Sequence, residues 1–117
     1  MTILSDVFAA RPSQLKQNGT VGNVLTNGII LYQITCNNPD IGTPLYFQLY
    51  NIVTVPVTNQ VALYSFLVKP TSCFTYIPSK PLSTVIFNLG LAWGVSTTES
   101  VLTISTTPFE VLTEYGS

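Results

Sequence analysis

The chain has 117 residues, enough for one domain with a buried core, and carries a net charge of −1. Only 8% of its residues are charged, where globular proteins average roughly a quarter, and 46% are hydrophobic. Apolar runs as short as Ile29–Tyr32, Phe66–Val68 and Val85–Phe87 rule out a spanning helix, and missing aromatic girdles argue against a membrane barrel. Four scattered basic residues rule out a phosphate-binding face, so neither membrane nor nucleic acid is an expected partner.

Residues 1–19 show little β alternation and hold three charges, Asp6, Arg11 and Lys16. They read as an N-terminal arm, either frayed or docked on a partner, in which Ser5–Ala10 is long enough for one helical turn only. The start lacks a basic region followed by an apolar one, so synthesis and residence in a reducing cytoplasm are expected. Asn18-Gly19-Thr20 matches a glycosylation sequon but reads as a turn in that setting.

From residue 20 to 117 the pattern is strands separated by turn formers, which predicts one antiparallel β-sandwich of Greek-key or jelly-roll type with about eight strands. Asn27-Gly28 signals a two-residue hairpin between Thr20–Leu25 and Ile29–Cys36. Period-two alternation puts Ile30, Tyr32, Ile34 and Cys36 on the core face, opposite Gln33 and Thr35. Asn37–Pro44 is a loop, rich in residues that favour turns. In Leu45–Tyr50, Leu45, Phe47 and Leu49 face the core and Tyr46, Gln48 and Tyr50 face outward. Val53–Thr58 contains Pro56, which lacks a ladder donor, so this stretch is a loop or an edge. Val61–Val68 and Ser72–Ile77 are strands. Ser83–Leu89 and Leu91–Ser96 are two strands, or one bent at Gly90. Val101–Ser105 and Phe109–Tyr115 pair as a terminal hairpin.

The chain has no histidine, which removes the Ser-His-Asp and Cys-His nucleophile systems and most zinc and iron sites. Glu110 and Glu114 lie four strand residues apart, about 13 Å, too far for a glycosidase pair. Asp6, Asp40 and Glu99 sit in an arm, a loop and a turn. Asp40 alone does not make a calcium loop, and Gly90–Gly94 is not a phosphate-binding fingerprint. Cys36 and Cys73 lie in apolar stretches without CxxC spacing and are expected to be reduced, buried thiols. No enzyme activity, metal or cofactor is expected.

Aromatic side chains point instead to binding, since Tyr and Trp are favoured at protein interfaces and on sugar-stacking platforms. The candidate interface residues are Arg11 and Leu15 on the arm, and Tyr46, Tyr50, Tyr64 and Trp93 on the body. Trp93 also fits a core position.

Tyr46–Asn51, Val55-Pro56, Leu63–Pro70 and Leu89–Thr98 carry a resemblance, loosely spanning residues 28–115, to small β-sandwich proteins of tailed bacteriophages. Those are structural parts of the virion, capsid cement or decoration proteins among them. The resemblance implies a sandwich body, a homotrimer, an extended terminal arm, and the major capsid protein or other virion proteins as partners. No catalytic residue carries over. The competing expectation is a carbohydrate- or receptor-binding module of a tail, fibre or baseplate, with Trp93 and tyrosines stacked on sugar rings.

Overall fold

The computed structural model describes residues 13–25, 30–78, 87 and 89–116. They form eight strands: β1 (Ser13–Gly19), β2 (Val21–Leu25), β3 (Ile30–Asn38), β4 (Leu45–Tyr50), β5 (Tyr64–Val68), β6 (Ser72–Tyr76), β7 (Leu91–Ser96) and β8 (Phe109–Gly116). No helix occurs among the described residues. The strands make two sheets, ordered β1-β8-β3-β6 and β2-β7-β4-β5, with every pair antiparallel. The pairs β1–β8, β2–β7, β3–β6 and β4–β5 are the rungs of one long two-stranded ribbon. Rolling that ribbon brings β8 beside β3 and β7 beside β4. This is the jelly-roll order within the predicted all-β sandwich class.

Rolling explains two departures from the local sequence signals. β2 pairs with β7 and β3 with β6 and β8, so β2 and β3 lie in different sheets and form no hairpin with each other. Asn27-Gly28 itself lies outside the described residues. Val101–Ser105 forms no terminal hairpin with β8 either. It makes only isolated bridges, Val61 to Val101 and Ser96 to Ile104, while β8 is taken up by β1 and β3. The sheet also begins earlier than the arm boundary at residue 19, because Ser13–Gly19 pairs with β8 along its whole length. Residues 1–12 and 81–86 lie outside the described residues, and with them Arg11 and most of the expected Ser83–Leu89 strand.

In β3 the alternation slips by one residue. Leu31 lies opposite Tyr115 and Gln33 opposite Glu114, leaving Tyr32 as the extra residue of a bulge. Leu31, Ile34, Cys36 and Asn38 therefore point inward, and Tyr32, expected in the core, is 42% exposed.

The core fills the space between the sheets with Leu31, Ile34, Cys36, Phe109 and Val111 from the first, and Leu45, Phe47, Leu49, Leu91, Trp93 and Val95 from the second. Phe47 stands at its centre, with ring centroids 5.9 Å from Trp93 and 6.3 Å from Phe109. The Trp93 Nε1–H donates to Gln17 Oε1 at 2.8 Å, tying β7 of one sheet to β1 of the other. Gly22, opposite Trp93 in the β2–β7 ladder, leaves room for the indole: a Cβ there would sit 2.5 Å from a ring carbon.

Thr113 is an exception in this packing. It is fully buried on β8 between Leu15 and Ile34, and among the described residues its hydroxyl has no partner. Thr113→Val keeps the shape and removes a desolvated hydroxyl, so stability should rise by about 1 kcal/mol. A urea midpoint that falls instead would show that the hydroxyl is satisfied.

Candidate interaction surface

β4 and β7 are buried on both faces: every β7 residue is buried, and so is every β4 residue except Tyr46. A layer of irregular chain, residues 51–63 and 97–108, covers the outer side of their sheet. The two segments bond to each other, with Asn59 N–H donating to Leu102 O at 2.8 Å, Leu102 N–H to Gln60 O at 2.9 Å and Ala62 N–H to Ser100 O at 3.1 Å. They enclose a second small core of Tyr50, Ala92 and Leu102, flanked by Val21, Ile52 and Ala62.

Two polar side chains on the strands hold this layer down. The fully buried Gln48 amide donates to the carbonyls of Thr98 at 3.0 Å and Glu99 at 2.8 Å, and its Oε1 accepts the Tyr50 hydroxyl. Ser96 Oγ accepts the Thr98 and Thr103 amides, both at 3.0 Å, and donates to Thr98 O at 2.7 Å. A face expected to look outward, Tyr46, Gln48 and Tyr50, is in this way largely covered.

Within the layer, residues 53–63 expose a run of apolar side chains, interspersed with Thr54, Thr58 and Asn59. Val53, Val55, Val57, Val61 and Leu63 are all exposed within eleven residues, Val57 at 63% and Val61 at 69%. Pro56, in their midst, is the residue that turns inward. Exposed large apolar side chains concentrated in one segment mark an interaction surface. Sequence reasoning missed it, although its signal was present: a valine-rich stretch that proline bars from a central strand must either pack by other means or remain exposed.

The expected interface residues scatter. Trp93 and Tyr50 are buried inside the monomer, at 0% and 1% exposure, so neither is available to a partner or a sugar ring. Leu15 is half-buried against the main core. Tyr64 is half-buried in an aromatic row, 6.0 Å from Phe66 and 5.4 Å from Tyr76, and Phe66 in turn lies 4.8 Å from Phe74. Burial pushes the Tyr76 hydroxyl up to about 12, with the hydrogen bond to Tyr64 adding to the shift. Tyr46 alone of the outward β4 face keeps partial exposure.

The outer face of the other sheet is polar. Gln14, Lys16 and Asn18 of β1, Glu110, Leu112 and Glu114 of β8, and Gln33, Thr35 and Asn37 of β3 share it, by register and alternation. Lys16, Thr35, Asn37, Glu110 and Leu112 line a shallow open depression there. The thiols diverge: Cys36 is buried, its pKa pushed up to about 12 mainly by burial, whereas Cys73, also expected inside, is exposed. Both are free, and Cys73 donates to Asn37 Oδ1 at 3.7 Å. Among the described residues no three His, Cys, Asp or Glu side chains gather in a metal-binding group.

One end of the sandwich is tied by Asp40. Its Oδ1 accepts the amides of Gly42 and Thr43, each at 2.9 Å, and its Oδ2 accepts the Thr107 hydroxyl at 3.1 Å. Its carbonyl accepts the amide of Thr71 at 3.0 Å, helping to hold that β-branched residue at a φ of 54°. The Gly42 and Thr43 amides hold the Asp40 carboxyl below its ordinary 3.8. A depressed folded-state value stabilises the fold above 3.8 and ceases to do so as pH falls through it. Melting temperatures followed from pH 6 to about pH 2 should therefore fall more steeply for the wild type than for Asp40→Asn. Parallel curves would remove Asp40 from the acid response.

No protein-family model, curated protein or solved structure matches the chain.

Proposed function

We propose that this chain is a non-catalytic structural protein of a tailed-phage virion, of capsid cement or decoration type, that acts by binding neighbouring capsid subunits. The observation that carries the reading is the run of exposed apolar side chains in the uncharged segment 53–63 on a jelly-roll body, a surface suited to protein contact. Jelly rolls serve both viral capsid and lectin domains, so the fold is compatible with this role by analogy only. The resemblance in Tyr46–Asn51, Leu63–Pro70 and Leu89–Thr98 supplies the phage setting. The sugar-stacking alternative loses its two main platforms, because Trp93 and Tyr50 face the interior.

Sedimentation with DNA-free capsids of its own phage tests the reading. The chain should pellet with the shells and raise their heat stability, and a chain that stays in the supernatant overturns it. Removing residues 1–12, and not 1–19, is the appropriate arm deletion, because Ser13 already belongs to β1. That deletion should weaken attachment and leave the unfolding midpoint of the body unchanged.

A further inference from the structure

We infer that the apolar layer over the second sheet, residues 53–63 with the neighbouring strand β5, is a contact surface for a second copy of this chain. The inference deepens the virion reading, whose resemblance implies a homo-oligomer, by naming the face at which copies meet, and it is argued from that surface alone. Its first support is charge. From Ile41 through Val68 there is no charged residue, so the layer segment, β4 and β5 are neutral throughout. A neutral apolar surface meets its own copy without like-charge repulsion, which is the first obstacle to self-association. Asp40 directly before this stretch and Lys69 directly after β5 bound it in sequence, and Glu99 lies in the 97–108 segment, so no charge falls within the stretch itself.

The second support is extent. Val53, Val55, Val57, Val61, Leu63 and, on β5, Leu67 are 45–69% exposed. They present on the order of 600 Å² of residue surface, close to the roughly 800 Å² that each partner contributes to a standard interface. The third is the edge. β5 closes its sheet in the order β2-β7-β4-β5. Its residues Tyr64–Val68 carry none of the lysines, glutamates or prolines that usually keep an edge strand from pairing. The opposite sheet differs, with Lys16, Glu110 and Glu114 on its outer face.

Sedimentation equilibrium across a wide range of protein concentration, on the full chain, tests the inference. The wild type should self-associate. Val57→Glu with Val61→Glu places like charges in the contact and should weaken self-association about 100-fold or more. Both side chains are more than 60% exposed, so the variant should keep its unfolding midpoint and circular dichroism. Ile41→Glu, at a site 90% exposed in the β3–β4 loop, should associate like the wild type. A wild type that stays monomeric at every concentration overturns the inference, as does a Val57→Glu/Val61→Glu variant that associates like the wild type. Loss of capsid pelleting with self-association intact would instead fail the virion reading alone.

Discussion

Replacing Trp93 with alanine is expected to lower folding stability by about 3–5 kcal/mol, the range for truncating a buried large aromatic. Domains of this size hold only about 5–15 kcal/mol in total, so much of the margin disappears. Three losses combine. The indole vacates the space against Phe47 and beside Gly22, which the surrounding strands can only partly refill. Phe47 keeps its ring contact with Phe109 but loses the one with Trp93 in its own sheet. The hydrogen bond from Trp93 Nε1 to Gln17, a direct tie between the sheets, also goes. Trp93 is the single tryptophan, so its fluorescence in the wild type reports on this position and should show the blue-shifted emission of a dry site. Urea unfolding followed by circular dichroism measures the alanine variant. A midpoint close to that of the wild type would mean that the indole does not fill the core. Trp93→Phe separates the contributions, because it retains a ring and leaves Gln17 Oε1 without its donor, at a cost of about 1–2 kcal/mol.

Gln48→Leu is expected to be the second most damaging change, at about 2–4 kcal/mol, although leucine is apolar and similar in size. Gln48 lies at 0% exposure, and hydrophobic substitution at such a position would ordinarily be tolerated. Here the amide holds the Thr98 and Glu99 carbonyls and receives the Tyr50 hydroxyl. Leucine leaves the Tyr50 hydroxyl buried without an acceptor and frees the 97–108 segment from β4. Amide exchange should then accelerate at Ala62 and Leu102, whose N–H groups bond within the layer, and remain slow in β8. Uniform acceleration across both sheets would show that the layer is not a separately anchored unit. The same variant bears on the contact surface, since Val57 and Val61 ride on the layer that Gln48 secures.

The all-β class and the bounds of β4 and β7 were legible from residue pattern alone, whereas the eight strands include β1, which fell in the expected arm, and exclude Val101–Ser105. β4 and β7 run as the chain order predicted, Leu45–Tyr50 and Leu91–Ser96, because turn formers bracket short runs rich in large apolar side chains. β6 likewise ends before Pro78. Pairing was not legible. Asn27-Gly28 is a strong local signal, yet β2 and β3 diverge into separate sheets, because pairing is decided by which apolar faces close one core. The bulge at Tyr32 was hidden for a related reason: nothing in Ile30–Cys36 marks the position at which the partner strand skips a residue.

The contact surface divides along the same line. Residue identity alone establishes that the chain lacks histidine, that charge is scarce, and that Val53–Thr58 is not a central strand. Which side chains meet water follows from how distant segments pack. Alternation assigns Tyr50 and Gln48 to the face opposite the core, which is correct for an isolated sheet. Residues 51–63 and 97–108, brought together across some forty positions of chain, cover that face and turn it into a second core. Covering it moves Tyr50 inside and leaves the valines of the layer outside. A strand's period fixes which side chains share a face, whereas the burial of that face depends on segments far away in the chain.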